Sequence, residues 1–468
     1  MDIKFGTDGW RAIIAKEFTV ENVARVTKGV CTYLKNHFDS PSVVIGYDCR
    51  FAGDLFAETA AKVFCENGIF VKMAMGYVST PMVSLGTLKL KASIGVIVTA
   101  SHNPSAYSGY KLKGHYGGPL LEEGIMEVES YIPDSTNFNF DSSSLEEWKE
   151  RGFIEIVDLE TLYCNQIERS FDLDAIRKSK MVFAYDAMYG SGQNVIKRLL
   201  PNVKRFRCEH NPHFYGISPE PIMRNLGPFS EYIKAEGDID CALVNDGDAD
   251  RIGMMDGKGN YIDSHHIMLL LINYLYKYKG YKGKIATGFS STVKIKQLCD
   301  YYGLDLDVVH IGFKHICGIM LEEEIIMGGE ESGGIAVQGH IPERDGIWNG
   351  MVIWEFMVKS GKTIEELIQE VYDLVGTFAF ERIDLTLPQE LKESIIAKCK
   401  AEEYHQFGEY KVERLENLDG YKYVLSESEW VMIRPSGTEP VLRTYAESST
   451  QEGAFKILKA CHDVILNK

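Results

Sequence analysis

The sequence predicts an α/β protein built from three related α/β units and a smaller C-terminal α+β unit, and three observations carry that expectation. Its 468 residues exceed what one hydrophobic core accommodates. Short apolar strands alternate with amphipathic helices, and three of the strands run into polar loops, at Thr99-Ala100-Ser101-His102-Asn103-Pro104, at Asn245-Asp246-Gly247-Asp248-Ala249-Asp250-Arg251 and at Gly328-Gly329-Glu330-Glu331-Ser332-Gly333-Gly334. Beyond residue 375 the texture changes to alternating strands such as Arg382-Ile383-Asp384-Leu385-Thr386-Leu387. No residue-level repeat is visible, so the kinship of the three units rests on layout.

In chain order, Phe5-Gly6-Thr7-Asp8-Gly9-Trp10-Arg11 is a glycine-rich start in which Arg11 could clamp a phosphate; a plain hairpin fits it as well. Apolar residues at Val20, Val23, Ala24, Val26, Val30 and Leu34 have helical spacing, so 20–37 is a helix. A strand at 42–47, a helix at 51–66, a strand at 70–74 and a helix from Thr80-Pro81 lead to the strand at 94–98. The second unit has strands at 181–185 and 239–244 with a helix at 193–200. The third has helices at 264–277 and 291–302 and strands at 284–289 and 324–327. Strands near 382–387, 421–425, 430–433 and 441–445 and a helix at 451–466 complete the chain. The expected boundaries are 1–150, 151–254, 255–373 and 374–468.

A net charge of −17 argues against a general nucleic-acid or anionic-membrane binder, so an anionic substrate needs a local basic pocket. The longest strongly apolar run, 267–272, is too short to span a bilayer, and the N terminus lacks a signal-peptide layout. Ten cysteines without a Cys-x-x-Cys pair read as free thiols of a reducing cytoplasm.

Ser101 sits at a strand's carboxyl end, where open α/β sheets hold their ligands. Serine is a weak nucleophile until a base, metal or cation eases its oxyanion. Ser101 and Asn103 equally suit a turn closed before Pro104. If the chain doubles back at Ser108-Gly109-Tyr110-Lys111, Lys111 reaches Ser101 as acid, base or phosphate ligand. Asp246, Asp248 and Asp250 alternate, which on an extended loop points three carboxylates one way, as a hard divalent cation requires. An EF-hand needs glycine and glutamate at the sixth and twelfth positions, where this chain has Arg251 and Gly257. Glu330 and Ser332 between glycines suit sugar hydroxyls, or a flexible polar loop. Arg434, Ser436, Gly437 and Thr438 make a phosphate cradle, or a proline-bracketed turn. Together the four loops suit phosphoryl transfer on a phosphosugar.

At these residues the chain resembles the α-D-phosphohexomutase superfamily over essentially its whole length: Thr-Ala-Ser-His-Asn-Pro at 99–104, Asp-Gly-Asp-Ala-Asp-Arg at 246–251, Gly-Glu-Glu-Ser-Gly at 329–333 and Arg-Pro-Ser-Gly-Thr-Glu-Pro at 434–440. The resemblance implies α/β domains with mixed sheets and a smaller last domain around a central cleft. It implies a phosphoserine at Ser101 beside His102. Magnesium ligands fall on Asp246, Asp248, Asp250 and the seryl phosphate, a general acid/base on Lys111, and an N-terminal arginine on Arg11. Sugar recognition falls on Glu330 and Ser332, and distal phosphate binding on Arg434, Ser436, Gly437 and Thr438. Arg251 closes the metal motif, and Gly312-Phe313-Lys314-His315 matches the loop that helps hold the sugar phosphate, with Lys314 as its contact. Phosphomannomutase-type members carry histidine where this chain has Gly334, so that histidine's role does not transfer.

The activity so implied is interconversion of glucose 1-phosphate and glucose 6-phosphate through a phosphoserine enzyme, with magnesium and a hexose 1,6-bisphosphate as activator and intermediate. Glu-Glu-Ser in the sugar loop tilts the choice to glucose over mannose or glucosamine. A metal-dependent sugar phosphatase and a non-catalytic sugar-phosphate binder are the readings from other classes. The expected partner is a small phosphosugar, with no nucleic acid and no membrane, in a monomer or homodimer.

Overall fold

In the computed structural model, which describes residues 3–435 and 441–466, the first segment builds strands β1 (Trp10–Ile13), β2 (Ser42–Tyr47), β3 (Phe70–Ala74), β4 (Ile94–Val98), β5 (Tyr107–Gly114) and β6 (Ile154–Val157) into one sheet. Its order is β1-β5-β4-β2-β3-β6. β4, β2, β3 and β6 run parallel, while β5 is antiparallel to both of its neighbours, β4 and β1, so the sheet is mixed. β4 is buried at every position, as expected for an uninterrupted Val/Ile run covered on both faces. The chain does double back: β5 lies antiparallel to β4 with Lys111 opposite Ile97.

Helices α1 (Val20–His37), α2 (Gly53–Glu66) and α3 (Thr80–Lys89) follow the apolar periodicity. Thr19 caps α1 by accepting from the Asn22 amide, and Ser79 caps α3 by accepting from that of Met82, with Pro81 in the first turn, where no amide partner is lost. α2 starts two residues later than the sequence suggests, because Ala52 at φ 57° breaks the helical path. Phe18, Phe56, Phe64 and Trp10 fill the core between this layer and the sheet.

The second segment forms a five-stranded sheet in the order Tyr261–Ile262, Ile252–Asp256, Cys241–Asn245, Phe183–Asp186, Lys204–Phe206. It too is mixed, parallel at 183/204 and 183/241 and antiparallel beyond. Helix Ser264–Asn273 gives way to a π turn over Tyr274–Tyr278, where the sequence suggested one α-helix to 277. Strands Ile325–Gly329 and Ile335–Val337 form an antiparallel hairpin that carries the Glu330 loop at its tip. Thus each of the three polar loops leaves the carboxyl end of a buried strand.

The chain divides into two compact bodies, Met1–Lys282 with Gly312–Leu367, and Gly283–Ile311 with Ile368–Lys468. Within the second, strands Lys284–Gly288 and Leu306–Val309 are parallel and flank helix Val293–Tyr302. An antiparallel five-stranded sheet runs in the order Ala379–Thr386, Val441–Ser448, Trp430–Pro435, Tyr421–Val424, Arg414–Glu416, and it is joined by helices Gln389–Lys400 and Gln451–Ile465. The small α+β unit is therefore as expected, and the fold is three α/β domains with a C-terminal domain.

One buried carboxylate fastens this second body. Glu447 accepts from the Thr292 hydroxyl at 2.8 Å, the Trp430 indole at 2.9 Å and the Val293 amide at 3.2 Å, near Lys422, which lies over Trp430. Burial raises its pKa to about 7, against the hydrogen bonds of Thr292 and Trp430. The folded state therefore holds this proton at pH values where the unfolded state has lost it, and stability falls as pH rises from the ordinary glutamate value to about 7. The change is at most about 3 kcal/mol. Glu447→Gln keeps the partners, since the Thr292 hydroxyl also accepts. We expect it to flatten thermal stability across pH 5–7.5 in scanning calorimetry; an unchanged slope sinks this assignment.

Candidate active site

Ser101 is buried at the end of β4 with φ 51°, a left-handed conformation that costs a non-glycine residue about 1 kcal/mol or more. Its hydroxyl donates to Asp246 Oδ2 at 2.6 Å. Gly247 makes that approach feasible: a Cβ there would lie 2.5 Å from the Ser101 carbonyl oxygen. His102 Nδ1 stands 3.4 Å from the same hydroxyl. Burial first, then Arg251 and Arg11, push its pKa well down, so the imidazole is neutral.

Asp246, Asp248 and Asp250 present carboxylate oxygens within 4.8 Å of one another, all buried. They converge for a reason other than the expected one. The segment is a turn, with Ala249 at φ 57° and its amide donating to the Asp246 carbonyl, not an extended strand pointing alternate residues one way.

Lys111 lies beneath the triad, its Nζ 2.8 Å from Asp248, 3.1 Å from Asp250 and 2.8 Å from Asp8. Burial opposes its charge, but Asp248, Asp250 and Asp8 outweigh burial and raise its pKa. Burial likewise opposes ionisation of Asp248, yet the Lys111 ammonium holds that carboxyl below the usual range. Asp246, by contrast, is pushed well up by burial and by repulsion from Asp248 and Asp250. Lys111 occupies Oδ2 of Asp248 and Asp250, whereas Oδ1 of each is buried with no hydrogen-bond partner among the described residues. Unpartnered buried carboxylate oxygens on an all-oxygen donor set fit a hard divalent cation, so the triad is a candidate metal site.

Besides Asp8, two further polar side chains that sequence reasoning missed join this network. Arg344, buried, pairs with Asp8 and lies 2.8 Å from Asp250. Thr80, at the start of α3, donates to Asp248 Oδ2 at 2.5 Å. The available signal was Glu343-Arg344-Asp345, three charges in a stretch that leads into the apolar helix Gly346–Ser360. Arg344 also accounts for Gly334: a Cβ there would lie 2.5 Å from Arg344 Cδ.

The sugar-loop candidates join the metal loop directly. Residue 251 bridges residue 334, and the Ile252 amide donates to the Gly333 carbonyl at 3.0 Å. Glu330 is buried, accepts from the Gly312 amide at 2.7 Å and has its pKa raised by burial to about 7. That contact brings the 312–315 loop onto the sugar loop. Ser332 is half-buried on the same turn. Arg251 points to Glu220 at 3.7 Å, and Lys314 pairs with Glu122 at 3.1 Å. Arg11, on β1 opposite Gly109, donates to Asn103 Oδ1 at 2.8 Å. In the second body, Arg434 pairs with Asp419 at 2.9 Å; Ser436, Gly437 and Thr438 lie outside the described residues.

Four family models cover the chain in order: phosphoglucomutase/phosphomannomutase alpha/beta/alpha domain I over residues 2–138, domain II over 161–259, domain III over 263–375 and the C-terminal domain over 396–461. A Thermococcus kodakarensis protein named phosphoglucomutase/phosphomannomutase is 28% identical over 97% of this chain and 96% of its own. A Carboxydothermus hydrogenoformans phosphoglucosamine mutase is 27% identical over 95% of each. A crystal structure from Thermus thermophilus that bears the name phosphomannomutase superposes with a TM-score of 0.88 at 30% identity, covering 99% of both chains. Fold and relatives together define an intramolecular phosphotransferase of the phosphohexomutase class. The chain belongs to the phosphoglucomutase/phosphomannomutase family.

Proposed function

We propose that the protein interconverts glucose 1-phosphate and glucose 6-phosphate, with Ser101 as the phosphoryl carrier and a glucose 1,6-bisphosphate intermediate. The observation that carries the reading is the 2.6 Å approach of the Ser101 hydroxyl to Asp246, at a buried carboxylate triad with unpartnered oxygens.

Phosphorylated Ser101 gives its phosphoryl group to the free hydroxyl of the sugar monophosphate. Lys111, whose Nζ is held by Asp8, Asp248 and Asp250, keeps its proton, so the acid/base role expected of it gives way to offsetting negative charge beside the serine, which Arg11 and the neutral His102 flank. Asp246, Asp248, Asp250 and the seryl phosphate would hold a magnesium ion, which would supply positive charge against the phosphoryl oxygens. Glu330 and Ser332 grip sugar hydroxyls; Arg251 and Lys314 are assigned to substrate binding, and Arg434, Ser436, Gly437 and Thr438 to distal phosphate binding. The bisphosphate then turns over, because one serine must address both ends, and its other phosphate returns to Ser101. The family matches support domains at 1–150, 151–254, 255–373 and 374–468. Ten free cysteines support a cytoplasmic location, and among the described residues no helix is long and apolar enough to cross a membrane.

A magnesium-dependent coupled assay with the 1-phosphates of glucose, mannose and glucosamine, primed with the matching bisphosphate, tests the reading. The expected result is conversion of glucose 1-phosphate at the highest kcat/KM without release of inorganic phosphate. Preference for mannose or glucosamine 1-phosphate reassigns the sugar, as relatives bearing those names are equally similar. Phosphate release alone makes the protein a phosphatase.

At pH 8, above the pKa of about 7 to which burial raises Glu330, Glu330→Gln removes a charged acceptor from the sugar loop while preserving its shape. We expect kcat/KM to fall about 10- to 100-fold, the worth of a charged hydrogen bond. A change below threefold removes Glu330 from the sugar site.

A further inference from the structure

We infer that Arg50 is a positioning residue for the nucleophile, locking the Ser101 loop from behind through its backbone carbonyls, and that Phe214 caps it. The inference rests on the reading of Ser101 as phosphoryl carrier and adds to it the device that aims the serine.

The geometry is that of a claw. Arg50 is buried two residues past Asp48, the acid that follows β2, and its Nη2 donates to the carbonyls of Ser101 and Asn103, both at 2.6 Å. Its Nη1 donates to the carbonyls of Pro104 at 2.9 Å and Tyr107 at 3.1 Å. The same turn approaches the loop from the other side. Asp48 accepts from the Arg50 amide at 2.9 Å and from the Thr99 hydroxyl, and Thr99 Oγ1 in turn accepts from the Ser101 amide at 2.9 Å. Both the amide and the carbonyl of Ser101 are therefore held, and with them the left-handed backbone that aims its Oγ at Asp246.

Only a planar guanidinium spreads donors over four carbonyls at once; an ammonium is a point charge with three rotatable donors. The other face of the guanidinium is closed by Phe214, itself buried, whose ring centroid lies 5.0 Å from Arg50 Cζ. An aromatic face there keeps water from competing for the guanidinium and attracts its charge. Phe214 comes from the second α/β segment, so the claw ties the serine loop to the segment that supplies the carboxylate triad. Arg50 touches no reacting atom; it acts through the loop.

The test is the kinetics of Arg50→Lys and Phe214→Leu beside Ser101→Ala, all on the full-length protein with magnesium. A nucleophile misplaced by a fraction of an ångström loses rate and leaves substrate binding alone. We expect Arg50→Lys to lower kcat about a hundredfold, with KM changed less than threefold. The single-turnover rate of Ser101 phosphorylation by glucose 1,6-bisphosphate, read by intact mass, falls in parallel. Phe214→Leu is expected to lower kcat about fivefold to tenfold with the same KM pattern, and it carries the test if the lysine variant does not fold. The inference is overturned if the folded variants keep kcat and phosphorylation rate within twofold of the parent, or if their loss lies wholly in KM, while Ser101→Ala is dead. An active Ser101→Ala instead overturns the reading of the carrier.

Discussion

Replacing Ser101 with alanine is expected to abolish mutase turnover, by about 10⁴-fold or more, without unfolding the protein. The hydroxyl is the only part removed, and the backbone that presents it is held independently through its amide by Thr99 and its carbonyl by Arg50. The side-chain partners lost are His102, at 3.4 Å, and Asp246, whose second oxygen still accepts from the Arg251 amide at 3.1 Å. Thermal stability should therefore stay within a few degrees of the parent. Incubation with glucose 1,6-bisphosphate should add one phosphoryl mass to the parent and none to the variant. A variant that retains a tenth of the parent turnover, or still takes up the phosphoryl group, places the carrier elsewhere.

The second large effect falls on Asp246→Asn. Asp248 and Asp250 share the Lys111 ammonium, and Asp250 also meets Arg344. Neutralising either of those takes a carboxylate out of a buried ion network in which Lys111 and Arg344 keep Asp8, and so disturbs the folded state as well as the metal site. Asp246 has no cation within ion-pair reach among the described residues and is the triad member nearest the serine, so its neutralisation tests the metal site without dismantling the ion network. Titration of magnesium into the apoprotein should show affinity weakened tenfold or more, and kcat should drop about 10³-fold. Manganese binding followed by electron paramagnetic resonance gives a readout independent of turnover. Unchanged metal affinity in the folded variant would remove the triad from the metal site, whatever happened to the rate.

The parts of this site that were legible in the sequence are those carried by contiguous residues. Val and Ile at 94–98 announce a buried strand, and a Thr/Ser/His/Asn/Pro loop at its end announces a ligand-facing turn. The same holds for the strand at 241–245 and its acids. Local rules suffice there because strand burial and turn chemistry depend on near neighbours. They misjudged the start of α2 and the end of the 264 helix, where a left-handed Ala52 and a π turn intervene. They also placed the three aspartates together for the wrong reason, since convergence comes from the turn at Ala249 and not from alternation along an extended chain.

What the sequence by itself determined was the layered α/β architecture, the order of the polar loops and most of the residues offered as a site, because each is written in periodicity and local composition. Only the tertiary structure decided which charges meet. Asp8, Arg344 and Asp250 are far apart in the chain and nothing local to any of them names the others, yet they share one buried cluster, as do Arg50 and the carbonyls of the Ser101 loop. The physical reason is that burial makes an unpaired charge or carbonyl costly. The partners are therefore chosen by how sheets and loops pack in space, and that choice leaves no periodic trace along the chain.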